Sequence, residues 1–373
     1  MSRRRTAVRL AVAAGLLVGL AVAAAAVGAW WLDRQWHRPW PQGDTGRELT
    51  VEIAPGASGS AILRQLEQAG AIESARISRL QLVHWMGDPP LQAGEYRIQL
   101  PASSRDVLAK LVAGDVLTHP VTLVEGLTMR ETAERLADEG FADLDQLLAE
   151  MADPARIADL DPAATSLEGY LYPDTYAFPR GVSASRVVDA LVENFRRRLA
   201  DLPTPQPPRP LREIVILASI VEKEARLEEE RPTIAGVYAN RLEIGMALYA
   251  DPTIIYGLKL AGTWDGNLRR RDLEMDSPYN TYRVAGLPPT PICSPRFSSL
   301  AAAARPADVP YLYFVSRNDG SHVFARTLGE HNRNVAVWQK QYWQRRWREE
   351  REKASRDASQ PGSKPPPGAP LPL

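Results

Sequence analysis

An α+β architecture behind a single N-terminal apolar helix follows from three observations on this 373-residue chain. Residues 10–32 carry no charged side chain and follow Arg3, Arg4, Arg5 and Arg9. Residues 49–100 alternate strand-like and helix-like patterns in the order β-α-α-β. Residues 211–332 join a strongly apolar helical run to a hairpin signature. The predicted organisation is a cytoplasmic N-terminus at 1–9, a transmembrane helix at 10–32 and a linker at 33–48. A small β-α-α-β subdomain at 49–117 and a larger mixed α+β domain at 118–343 follow, with a charged helix end and a disordered Pro-rich tail at 344–373.

The apolar run has the length of roughly 20 residues that a helix needs to cross a bilayer. Trp30, Trp31, Trp36 and Trp40 fall at its far end, where an aromatic interface belt is expected. The preceding arginines predict a cytoplasmic N-terminus, with the rest of the chain across the membrane. The small residues Ala23–Ala26 would suit a cleaved signal peptide, but the run is longer than a signal h-region of about 7–15 residues, so a retained anchor is expected. No cysteine follows it closely, which excludes a lipid-anchored lipoprotein.

Composition removes several functions. Lys+Arg and Asp+Glu are both 45, so the chain lacks the basic excess of a nucleic-acid binder. With 45% hydrophobic and 24% charged residues it is not an acidic disordered chain. Its one cysteine, Cys293, rules out an internal disulfide, and five unclustered histidines argue against a metal site.

Residues 49–53 alternate as a strand. Ile62, Leu63 and Leu66 recur at helical spacing up to Gly70, and Ser74 opens a second helix to Met86. Residues 94–100 read as a strand, and Ser104 is expected to cap a helix at 107–113. Residues 121–124 are strand-like. Thr128 and Glu131 have capping-box spacing before a helix that Gly140 ends. The proline-dense stretch 201–210 is a loop, and a charged aromatic helix is expected beyond Trp338.

The densest chemical signal starts at residues 214–221, apolar on nearly every side and so a buried helix. Glu222 and Glu224 end it, about 200° apart on a helix, and so do not share one role. Glu224 follows Val221 by three and Ile220 by four, on the apolar face. A carboxyl there tends to stay protonated, as a general acid near neutral pH requires. The competing reading is an ion pair with Arg226 or Arg241. Asp251, before Pro252, reads either as a helix N-cap or as a substrate contact. Tyr279, Asn280 and Tyr282 combine aromatic faces with an amide, which suits a sugar-binding groove as well as an ordinary turn. Asp319-Gly320 before His322 marks a hairpin, and His322 and His331 are further candidates, though a lone histidine is more often structural.

These segments resemble a known family. ASIVEKEA (218–225), AGVYANRLEIGMALYADPTIIYG (235–257), SPYNTY (277–282), GLPPTPI (286–292), YLYFV (311–315), DGSHVF and EHN (330–332) are similar to the endolytic murein transglycosylases of the MltG/YceG type. So are LEGYLYPDTYAFPRG (167–181) and the LVEGLTMRE segment. The resemblance implies a single-pass protein of the bacterial inner membrane with its catalytic domain in the periplasm. It implies a LysM-like subdomain at 49–117 and a catalytic transglycosylase domain after it. It implies a lytic transglycosylase that cleaves the MurNAc–GlcNAc bond of nascent peptidoglycan strands, leaves 1,6-anhydroMurNAc ends and terminates elongation. The family's catalytic glutamate falls on Glu224, and Asp251, Asn280, Tyr279 and Tyr282 are the expected substrate contacts. Glycan strands, the inner membrane and peptidoglycan synthases are the implied partners, with no nucleic acid. No metal or organic cofactor is expected, because one carboxyl and the substrate's own hydroxyl suffice. Two other readings are a lysozyme-like hydrolase using Asp251 as a second carboxylate, and a non-catalytic glycan-binding scaffold for synthases. Tyr249 stands where the family often has Gln, and residues 293–296 replace an Ala-Asn-Pro-Gly-like segment. Arg296 in the Gly position is the larger change, because Gly tolerates backbone angles that Arg does not, and it bears on the fine geometry of the groove rather than on the reaction class.

Overall fold

The computed structural model describes residues 2–41 and 46–358. Residues 42–45 of the expected linker, and the expected disordered tail from 359 onward, lie outside the described residues. The chain divides into two compact units: Met1–Val121 with Ala177–Val182, and Thr122–Tyr176 with Ser183–Leu373. The expected boundary at 117/118 lies four residues earlier than this division.

In the first unit, α1 (Ser2–His37) is one continuous helix. Its portion Val12–His37 is long and apolar enough to cross a membrane. The helix does not stop at residue 32, and β1 (Pro39–Trp40) pairs with β4 (Ala102–Ser103), so the start of the expected linker is structured. Trp30 and Trp31 are exposed, as an interface belt requires, but Trp36 is only 4% exposed. It belongs to the unit's core and stacks on Trp85 at 5.9 Å. The Leu32 carbonyl also accepts from Gln81 Nε2 at 3.2 Å.

β2 (Glu48–Ile53), α2 (Gly59–Gln68), α3 (Ala75–Met86) and β3 (Gly94–Gln99) give the β-α-α-β order. The strands pair antiparallel with Val51 opposite Tyr96. Their alternation buries Val51, Ile53, Tyr96 and Ile98 against Ile62, Leu63 and Leu66 of α2. α4 (Ser104–Ala113) is capped by Ser103, one residue before the expected cap, because the Ser103 hydroxyl accepts from Asp106 N at 3.2 Å. β5 (Thr118–Thr122) starts three residues before the expected strand and pairs with β6.

In the second unit, α5 (Met129–Asp138) opens with the expected Thr128–Glu131 capping box. α6 (Leu144–Ala152), β6 (Thr175–Pro179) and α7 (Ala184–Leu199) follow. α8 (Leu211–Glu224) is the central helix, buried at every position from 214 to 222. α9 (Arg231–Glu243) and α11 (Phe297–Ala304) pack on it, with α10 (Asp251–Leu260) between them in sequence. β7 (Tyr313–Ser316) and β8 (His322–Ala325) form the expected hairpin, with Ser316 opposite His322. α12 (Leu328–Val335), a π-helical turn at Ala336–Gln341 and α13 (Tyr342–Ala358) complete the described chain.

Glu168 joins two of these helices. It is 4% exposed and accepts from Met129 N at 2.9 Å and from the Tyr256 hydroxyl at 2.9 Å. Burial pushes its carboxyl up to about 7, against those two bonds. Glu168→Ala leaves a helix N–H and a phenol unpaired and is expected to lower stability by about 3 kcal/mol. Denaturant unfolding of the variant beside the wild type checks this.

Candidate active site

α8 delivers Glu224 to a groove of about 510 Å³. Glu224 lines it with Arg241, Tyr249, Asp251 at the opening of α10, and Tyr282, together with residues of β7, His322, Leu328 and His331. The helix is fixed first. Ser219 Oγ donates to the Ile216 carbonyl at 2.7 Å and accepts from Ile292 N at 3.0 Å, which ties α8 to the loop that leads into α11. Cys293 is fully buried there, its thiol on the Ser219 carbonyl at 3.3 Å.

The two glutamates separate as their 200° offset requires, but the more buried one is Glu222. Its carboxylate accepts from Arg296 N and Nε, both at 3.0 Å, and from Ser299 Oγ at 2.8 Å, with Arg231 at 3.5 Å. Glu222 is therefore a fastener between α8, α9 and α11. Arg296 has an ordinary φ of −72°, an angle that needs no glycine.

Glu224 is half-buried and faces the groove. Its Oε1 accepts from the Tyr238 hydroxyl at 3.1 Å. Among the described residues nothing bonds Oε2, and no cation forms an ion pair with Glu224. The alternative pairing with Arg241 is absent, since Arg241 spends Nε on the Leu312 carbonyl at 2.7 Å and Nη1 on the Leu248 carbonyl. Burial pushes the Glu224 carboxyl up to about 7, with help from the Asp251 charge and against Tyr238 and Arg241. Glu168 is raised as far, but both of its oxygens are taken. A carboxyl with a free oxygen and a neutral-range proton is what acid–base chemistry needs.

Asp251 is not the N-cap. Ala250 holds that position without a side-chain bond, and Asp251 is the first helical residue. Its Oδ1 instead accepts from the Tyr282 hydroxyl at 2.6 Å. Thr281 fixes the start of α10: its hydroxyl accepts from Ala250 N at 3.1 Å and meets Thr253 Oγ1 at 2.9 Å. Asp251 and Tyr282 thus share the groove with Glu224, whereas Asn280 and Tyr279 do not line it. Asn280 is fully buried and braces the loop, donating to the Leu273 and Met275 carbonyls and accepting from Tyr282 N. Tyr279 bonds Thr290 Oγ1 at 2.8 Å and packs on Tyr256.

Sequence reasoning missed Tyr238 and treated Tyr249 only as a departure. Tyr238 lies 14 residues from Glu224, beyond any periodic signal. Tyr249 has φ +50°, packs edge-on to Tyr282 at 5.3 Å and has Arg241 over its ring at 5.8 Å. Of the two histidines, His322 is held at Nδ1 by Glu230 at 2.7 Å, and His331 stacks on Tyr313 at 5.3 Å.

The two glutamates should respond oppositely to neutralisation. Glu222→Gln leaves Arg231 and Arg296 without their shared anion and is expected to cost about 3 kcal/mol of stability. Glu224→Gln removes a group whose folded value lies above its ordinary 4.5. Below 4.5 that group is protonated both folded and unfolded, and above about 7 only the fold must hold it as a confined charge. Glu224→Gln should therefore raise the unfolding midpoint at about pH 8 and leave it unchanged at about pH 4. Thermal unfolding at the two pH values checks the sign.

Comparisons with known proteins place the chain in a family. A family model described as the YceG-like family matches residues 51–337. An endolytic murein transglycosylase of Bacillus subtilis is 31% identical over 308 residues, 78% of this chain and 84% of that protein. The endolytic murein transglycosylase of Streptococcus pneumoniae serotype 2 is 28% identical over 322 residues, covering 77% of this chain and 58% of its own length. A crystal structure of a YceG-like protein from Listeria monocytogenes aligns with a TM-score of 0.50 at 33% identity, over 78% of this chain and 99% of the other. With a family model spanning most of its length and relatives matched across more than three quarters of it, the chain belongs to the YceG-like family.

Proposed function

We propose that this chain is a membrane-anchored, endolytic lytic transglycosylase of peptidoglycan, with Glu224 as its catalytic acid and base. The observation that carries this is the Glu224 carboxyl, which opens one unbonded oxygen into the groove and keeps its proton near neutral pH. The names of the Bacillus and Streptococcus relatives support the reaction class.

Tyr238 holds Oε1, so Oε2 delivers the proton. It goes to the oxygen between MurNAc C1 and GlcNAc, and the C1–O bond breaks. The C6 hydroxyl of MurNAc attacks C1, and its proton passes to the Glu224 carboxylate. The product carries a 1,6-anhydro end, no water is consumed, and Glu224 is protonated again. The cation-like transition state is stabilised by Asp251, whose negative charge already acts on Glu224. A hydrolase needs two carboxylates flanking the bond. Asp251 in the same groove is the one feature that favours that second reading, and mass spectrometry separates the two, since hydrolysis leaves ends one water heavier.

We place α1 across the bacterial inner membrane, with residues 1–9 in the cytoplasm and the chain after α1 in the periplasm. The support is the length and apolarity of Val12–His37 and the arginines before it. The β-α-α-β unit is assigned to glycan binding in a LysM-like manner, and peptidoglycan synthases are the partners that strand termination calls for.

The full-length protein in detergent should release anhydro-ended fragments from glycan strands. Glu224→Gln should lower that rate by about a thousandfold. Because the acid form is the active one, kcat/KM should fall as pH rises through about 7, the range to which burial pushes Glu224. Wild-type release by Glu224→Gln, or a rate that climbs through that range, would remove the assignment.

A further inference from the structure

The groove holds a histidine whose two ring nitrogens have different surroundings. His331 lines the groove, and its Nδ1 is sealed from solvent with no hydrogen-bond partner among the described residues. Nε2 has no hydrogen-bond partner among the described residues and is not among the sealed atoms, which leaves it as the nitrogen available to the groove. A proton on Nδ1 would be an orphaned buried donor, which proteins avoid more strictly than an orphaned acceptor. The neutral ring therefore carries its proton on Nε2 and offers an N–H to whatever fills the groove. Burial and the nearby Arg241 charge push His331 below its ordinary value, which keeps the ring neutral.

The ring is also rigidly mounted. Its backbone N–H bonds the Thr327 carbonyl at 3.0 Å, and the Thr327–Glu330 capping box fixes the first turn of α12. Its face stacks on Tyr313 with 27° between planes. Val315, two residues on and so on the same face of β7, and Leu328 supply apolar lining beside it. An N–H donor next to an apolar seat is complementary to an acetyl group, which presents one carbonyl oxygen and one methyl.

We propose that His331 is a specificity-determining contact, donating from Nε2 to the carbonyl oxygen of a sugar's 2-acetamido group while the methyl rests against Val315 and Leu328. This rests on the glycan-cleaving function proposed above. N-deacetylation removes the acceptor and the methyl together, and leaves a cationic amine facing an N–H.

The test compares cleavage of fully N-acetylated and N-deacetylated glycan strands by the full-length protein. Wild type should favour the acetylated strand. His331→Phe keeps the stack on Tyr313 and deletes the donor, so kcat/KM on acetylated strands should fall about tenfold, with no change on deacetylated ones. His331→Gln, whose amide nitrogen reaches the position of Nε2, should restore most of the preference. His331→Asn, whose amide reaches only the buried Nδ1 position, should not. Equal losses on both strands in His331→Phe, or equal wild-type rates on both, would overturn the contact while leaving the glycan-cleaving function standing. A wild type that cleaves neither strand would overturn that function and this inference with it.

Discussion

The buried carboxylate of Glu222 is the interaction on which the groove depends. Four groups from α9, α11 and the residue that caps α11 converge on it, so the C-terminal turn of α8 is held without help from Glu224. A charge this deep is stable only because Arg231 and Arg296 balance it and the serine and backbone donors satisfy its remaining lone pairs. Two residues on, Glu224 has one phenol and one open oxygen. The helix thus ends in two carboxyl groups of opposite character, one consumed by structure and one left for chemistry. The same tethering seats Arg296, since both its guanidinium and its backbone N–H bond Glu222 and its backbone needs no special angle.

The groove lining also carries strain. Tyr249 occupies the left-handed region that bulky residues avoid, and it is held there by its N–H on the Thr281 carbonyl at 3.1 Å. Thr281 also anchors Ala250 and Thr253, so a single threonine sets both the strained residue and the first turn of α10. Asn280 stands behind it, bound entirely to backbone. The loop around residues 277–282 is thus a brace whose working surface is Tyr282 and, through it, Asp251.

How far the sequence could be read follows from which forces were local. The alternation of residues 49–53, the Ser74 cap and the Thr128–Glu131 box are near-neighbour effects, and each is found where spacing predicted it. The burial of α8 and the two-sided placement of its glutamates followed from helical geometry alone. What periodicity could not supply was tertiary. Tyr238 meets Glu224 across two helices, Glu168 joins residues 39 and 88 positions away, and Asp251 gave up capping for a phenol 31 residues on. Asn280 was misread because an amide beside aromatic residues looks the same in sequence whether it faces a ligand or a carbonyl. Trp36 was misread in the same way, since its apolar ring suits a core as well as a membrane interface.

That last residue bears on how such a protein searches its surroundings. With Trp36 seated on Trp85 and Leu32 bonded to Gln81, the foot of α1 is packed into the first unit. A flexible stalk would let a tethered domain sweep a hemisphere. With α1 placed across a membrane as proposed above, a helix sunk into the folded unit would hold that unit at a constant height, like a collar on a post, and lateral diffusion of the post would replace tumbling as the way it meets new polymer.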